Sequence, residues 1–170
     1  MQNNDLTNCY NRGNKTGERH TGVRRISPNN ERSKEHLLKA EHNLKAIDAF
    51  YEINYSDWSA SAAFYTLYHC LLALLAQHGY ESRSQNCTFE LIKSLVADGK
   101  ITFLTVEEVQ EIYDKDITED LEHSSRVLDI RENMQYGIRT TMSETEFYLL
   151  RNRTKQLFDK MKLEIERTIK

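Results

Sequence analysis

From Ser33 onward the chain alternates apolar and polar positions at helical spacing. Leu37, Ala40, Leu44, Ile47 and Tyr51 recur at steps of three and four, which places them on one face and predicts a helix over Ser33 to Ile53. Lys34, Lys39, Glu41 and Lys45 fall largely off that stripe. A second helix is expected from Ser56 to His78, with Ser56 as its N-cap, Asp57 in its first turn and Gly79 as its stop. The run from Trp58 to Ala76 is apolar nearly all round, the mark of a bundle's central helix. Ala60, Ala62 and Ala63 leave room for a neighbour to approach closely.

Gly79 to Cys87 is polar and reads as a loop. Thr88 then caps a short helix from Phe89 to Val96, and Asp98-Gly99 makes a turn. Thr105-Val-Glu-Glu108 has capping-box form and opens a helical pattern reaching Tyr136, either one long helix or two with a break near Asp116-Ile117. Ser143-Glu-Thr-Glu146 repeats the box before a last helix with Phe147, Leu150, Thr154, Leu157, Met161 and Ile165 on one seam. With five or six helices, short connections and no convincing strand, the expected fold is all-α, an up-and-down helical bundle.

Residues 1–30 break this pattern. They are rich in Asn, Gly, Thr and Arg with almost no periodic apolar residues, and are expected to form a disordered basic tail ahead of a bundle over residues 31–170. The tail reads either as a basic arm that contacts RNA or, more plainly, as a solvated leader. Charge sharpens the division. Residues 1–34 carry seven Lys or Arg against three acids, net +4, so the other 16 bases and 23 acids leave −7 on the rest of a chain of net charge −3. An acidic body argues against broad, non-specific nucleic-acid binding, while a local site or the basic arm remains open to it.

At 170 residues, with one Pro and 6 Gly, the chain has room for one domain with a core of its own. No apolar run of membrane-spanning length and no apolar signal core stand out, so a cytoplasmic protein with no membrane association is expected. Cys9, Cys70 and Cys87 are scattered and odd in number, which predicts free thiols rather than a disulfide framework or a metal knuckle, with Cys70 in the core. No phosphate-binding loop, dinucleotide fingerprint or Ser-His-Asp signature occurs, so no cofactor is implied. His36 and His42 stand six apart, which does not put both on one helix face for a metal. His69, inside the apolar helix, reads as a core histidine.

Two segments carry a family resemblance. The first is Tyr55-Ser-Asp-Trp-Ser-Ala-Ser-Ala-Ala-Phe-Tyr-Thr-Leu-Tyr-His-Cys-Leu-Leu-Ala-Leu-Leu, followed by the polar loop from Gly79. The second is Asp129-Ile-Arg-Glu-Asn-Met-Gln-Tyr136-Gly137. In order and separation they resemble the second-helix signature and the Arg-containing motif of HEPN domains. The likeness spans about Ser33 to Ile165 and is greatest to small stand-alone prokaryotic members, archaeal ones especially.

The resemblance implies a helical bundle that forms a homodimer, bringing two copies of the Arg motif into a shared cleft. Many members are metal-independent ribonucleases in which Arg is followed, after four to six residues, by His. Many are toxins paired with a minimal nucleotidyltransferase antitoxin, which in some pairs adenylylates a Tyr two residues beyond that His. Here Arg131 is followed after four residues by Tyr136, and two further on stands Ile138. Such Arg…Tyr forms resemble a branch whose nuclease activity is doubtful.

Arg131 continues the stripe Ile117, Leu121, Ser124, Leu128, so it is expected to face inward, where a guanidinium needs a carboxylate, carbonyls or a phosphate. Its plain reading is an ion pair with an acid such as Asp57, Asp129 or Glu132. Its functional reading is phosphate binding, since a planar fork of donors fits phosphate oxygens. Asn133 and Gln135 could hydrogen-bond a ribose or base, or stand as ordinary surface residues. Cleavage of RNA without a metal needs a base for the 2′-hydroxyl, a role that suits His, whereas an ordinary tyrosine hydroxyl, titrating near ~10, is a poor base at neutral pH. Tyr136 is otherwise a half-buried aromatic closing the last turn before Gly137. The expected function is thus an RNA- or nucleotide-binding HEPN module with Arg131 in a cleft and weak or lost cleavage. The alternative is an active toxin ribonuclease of a HEPN/minimal nucleotidyltransferase pair.

Overall fold

The computed structural model describes residues 2–15, 19–113, 130, 134 and 136–169. In chain order the elements are α1 (Gln2–Lys15), β1 (Val23–Arg25), α2 (Asn30–Glu52), α3 (Ser56–Gln77), β2 (Tyr80–Ser82), α4 (Gln85–Ala97), α5 (Val106–Ile112) and α6 (Glu144–Ile169). Ile130, Met134 and Tyr136 are also helical. The fold is an all-α bundle with one small ribbon added.

The amphipathic stripes fold as their spacing dictates. Leu37, Ala40 and Ile47 of α2 are buried, and all six seam positions of α6 are buried. Both capping boxes form. Thr105 Oγ1 accepts from Glu108 N at 3.2 Å while Glu108 Oε2 accepts from Thr105 N at 3.1 Å, and Ser143 and Glu146 exchange the same pair of bonds at 3.2 and 2.8 Å.

α3 is the centre, packed mainly on α2 and α6. By length and composition it could cross a membrane, but 72% of its apolar window is buried inside the bundle, so its hydrophobicity is spent on the core. Leu71, Leu74 and Leu75 are almost wholly buried, each stabilising the fold by about 1.5–3 kcal/mol. Buried Ser59 and Ala60 let α2 come close enough for Ser59 Oγ to donate to Ile47 O at 2.8 Å.

Several expectations need correction. Ser56 does not cap α3. It is buried, and its hydroxyl accepts from Met142 N at 2.7 Å, tying the start of α3 to the segment that enters α6. The short helix begins at Gln85, with Ser84 rather than Thr88 as N-cap. Thr88 lies buried within it, its hydroxyl 2.8 Å from Ser82 Oγ and 3.0 Å from Ser84 O.

The first 30 residues, expected to lack structure, carry α1 and β1. β1 pairs antiparallel with β2, inside the expected loop, in the register Val23↔Ser82, Arg24↔Glu81, Arg25↔Tyr80. Cys9 and Cys87 are joined in a disulfide that ties α1 to the start of α4, so of the three cysteines only Cys70 is free, and it is buried in the core. Burial drives the Cys70 thiol's pKa far up. Two glycines permit the close fit: a Cβ on Gly13 would run into Val23 O, and one on Gly22 into Cys9 O. The amino-terminal segment is thus held by a cross-link, a ribbon and a short apolar face, in which Cys9 and Val23 join the core and Leu6 and Tyr10 pack against it.

Candidate functional site

Of the residues expected to form the Arg motif, Arg131, Asn133 and Gln135 lie outside the described residues, as does the stripe from Ile117 to Leu128. The motif's described neighbours show how it is anchored. Ile130 and Met134, one helical turn apart, are buried in a cluster with Ile47, Ala60, Ala63, Met142, Phe147 and Leu150. Tyr136 is 82% exposed, so it does not pack the last turn as a half-buried aromatic. Ile138 is fully exposed.

The described residues bring together a second constellation. On α2, His36 lies at the edge of the apolar stripe, next to buried Leu37. On α3, His69 precedes buried Cys70. Where the two helices pack, the rings face each other with centroids 5.3 Å apart and planes tilted by 33°, and the Nδ1 atoms stand 3.1 Å apart. At that distance one ring donates and the other accepts, so the pair accommodates a single Nδ1 proton. Desolvation lowers the pKa of His36 to about 4, helped by the charges of His69 and Arg32. His69 is also lowered, first by burial and then by Lys39. Both imidazoles are therefore neutral near pH 7, able to accept a proton but not to store one.

An open groove beside the pair is lined by Asn29, Glu31, Arg32, Glu35 and His36. Among the described residues, no group of three or more His, Cys, Asp or Glu side chains is placed to hold a metal. Sequence reasoning missed the pair because it tested His36 only against His42 on the same helix. The available signal was that His36 and His69 each sit beside a core position of helices destined to pack. Tyr68 stacks on Phe64 and Phe89, with its hydroxyl 3.3 Å from Thr88 Oγ1, and belongs mainly to the core. Tyr65 is more exposed.

Compared with known proteins, the chain finds no match among curated sequences. The family model for the HEPN domain matches residues 33–164, most of the chain, taking in α2 to α6 and the segment from Arg131 to Tyr136. This chain belongs to the HEPN domain family.

Proposed function

We propose that this HEPN chain is a binding module for RNA or a nucleotide, with Arg131 as its phosphate-contacting residue and ribonuclease activity weak or lost. The observation that carries this reading is Tyr136. It stands where ribonuclease members carry His, and a phenol does not serve as an imidazole does to take the 2′-hydroxyl proton at neutral pH. Arg131 is retained, and a guanidinium binds phosphate oxygens whether or not a base is present to complete cleavage. Asn133 and Gln135 would supply hydrogen bonds to ribose or base. The working unit is a homodimer whose two Arg131 side chains share one cleft.

The test is Arg131→Ala in the full chain, assayed for binding of labelled RNA and of nucleotides. Binding should fall by at least tenfold, the loss of about one charge-assisted contact, with melting unchanged. Equal binding by the variant would remove Arg131 from the site. Co-purification with a minimal nucleotidyltransferase, together with added nucleotide mass on this chain or growth arrest on its expression alone, would instead favour the active-toxin reading.

A further inference from the structure

We infer that Arg24, Arg32 and Arg83, gathered on the carboxylate of Glu81, form a phosphate-binding site made without Arg131. Glu81 lies on β2 with its side chain only 4% exposed. Arg24, its partner in the ribbon register, reaches Oε2 with both Nε and Nη2 at 2.6 Å. Arg32, in the first turn of α2, brings Nη2 to 3.2 Å from Oε1, and Arg83, just beyond β2, brings its Nη2 to 3.4 Å from the same oxygen. His20 lies buried behind, with Nε2 3.5 Å from Oε2. Burial opposes ionisation of Glu81, but the Arg24 hydrogen bond and the charges of Arg24 and Arg32 outweigh it and hold the carboxyl below its usual range.

A structural clamp needs one arginine, and Arg24, with two short contacts, supplies it. Arg32 and Arg83 are more than the carboxylate can neutralise. Around Glu81 itself one negative charge faces three positive ones; Glu31 and Glu35, beside Arg32, offset part of that excess, and the positive charge left over favours a second anion. The layering suits such an anion. The acid is buried, while the side chains of Arg32 and Arg83 are 43% and 42% exposed. Each gives Glu81 one Nη2 contact, and a guanidinium has five N–H donors in a fixed fork that matches phosphate oxygens. Glu31 and Glu35 line the groove beside Arg32 and repel an anion placed along it, so the anion is expected away from that groove. Arg25, the next residue on β1, sits 5.8 Å over the Tyr80 ring and is not part of the cluster.

The phosphate could belong to an RNA strand or be a free anion, and one experiment separates these. Fluorescence anisotropy would follow a labelled oligouridylate binding the full chain, Arg83→Gln, Arg32→Gln and, as a charge-matched control on the exposed face of α6, Lys155→Gln. Each would be measured with and without Arg131→Ala. Circular dichroism and melting would verify folding. For an RNA strand, Arg83→Gln should weaken binding about fivefold at low salt and reduce the salt slope by about 0.7, the contribution of one phosphate contact on a single strand. Lys155→Gln should do neither, and the Arg83 effect should persist in the Arg131→Ala background. In the second arm, inorganic phosphate is titrated while melting is followed. Stabilisation by phosphate that is lost in Arg83→Gln, without oligouridylate binding, assigns the site to a free anion. If Arg83→Gln and Lys155→Gln behave alike with both probes, or neither probe binds, the site does not exist. Loss of the Arg131→Ala effect alone would sink the Arg131 reading and leave this one standing.

Discussion

The Nδ1 atoms of His36 and His69 stand 3.1 Å apart across the seam between α2 and α3, a separation that admits one proton between them and penalises a second. The pH dependence follows. The His36 ring titrates near 6.5 in its unperturbed state and near 4 in the fold, chiefly through desolvation. Between those values the unfolded chain binds more protons than the native one, so the stability linked to neutral His36 is complete above pH 6.5 and drains away as pH falls towards 4. With the ring only partly buried, this contribution is about 1–2 kcal/mol. Urea titrations of wild type and His36→Gln at pH 7.5 and pH 4.5 should show the wild type losing that much more than the variant on acidification. Equal losses would mean that the ring titrates normally.

The Cys9–Cys87 disulfide closes a span of 78 residues and fastens α1 to α4. Cys70, buried in the core, is inaccessible for a different reason. Alkylation distinguishes the two. Without reductant, the native protein should take up no iodoacetamide, the denatured protein should take up one, at Cys70, and the reduced and denatured protein should take up three. Two or more labels on the unreduced, denatured chain would rule out the cross-link. Reduction should lower stability by about 4.5 kcal/mol on the chain-entropy estimate for a loop of this size.

These two features show what a linear reading can and cannot reach. The stripes of α2 and α6 were visible because periodicity is local, and so were both capping boxes, whose partners lie three residues apart. The apolar run from Trp58 to Ala76 marks α3 as central by itself. Cys9 with Cys87, Arg24 with Glu81 and His36 with His69 are pairs separated by dozens of residues, and nothing in the spacing of either member announces the other. For this reason the histidine pair leaves no sign in the spacing of the sequence. The Arg131 motif was read from a resemblance rather than from geometry. Around it, Ile130 and Met134 anchor in the core and Tyr136 is exposed.

Glu164 supports a prediction about the α5 side of the bundle. Its carboxylate, on α6, is buried and accepts from Thr102 N at 2.8 Å, Phe103 N at 2.7 Å and Thr102 Oγ1 at 3.1 Å. These bonds hold the turn between α4 and α5, which sends Ile101 and Leu104 into the core. Glu164→Ala leaves two backbone N–H groups without their acceptor and should cost about 2–4 kcal/mol. Glu164→Gln should recover only part of this, because its amide oxygen replaces one carboxylate oxygen while its NH2 turns a donor towards the remaining N–H. Chemical denaturation gives the energy, and amide exchange should quicken first at Thr102 and Phe103. A variant as stable as wild type would show that water replaces the carboxylate without penalty.

Tyr136 allows the enzymatic question to be asked without disturbing the fold. With 82% of its surface exposed, Tyr136→His removes little packing, and stability should change by no more than about 0.5 kcal/mol. The substitution restores the Arg-x4-His spacing and supplies a group that titrates near neutrality, where an imidazole can take the 2′-hydroxyl proton while Arg131 steadies charge on the phosphoryl oxygens. If the missing base is all that separates this chain from the ribonucleases of its family, cleavage of a labelled RNA should rise by 10²–10⁴-fold, the usual worth of a positioned general base. The gain should peak near neutral pH, resist chelators and vanish when Arg131→Ala is added. A rise that survives Arg131→Ala would locate the activity elsewhere. No rise in a folded variant would mean that more than the base has been lost, and that the chain uses its Arg131 region to bind rather than to cut.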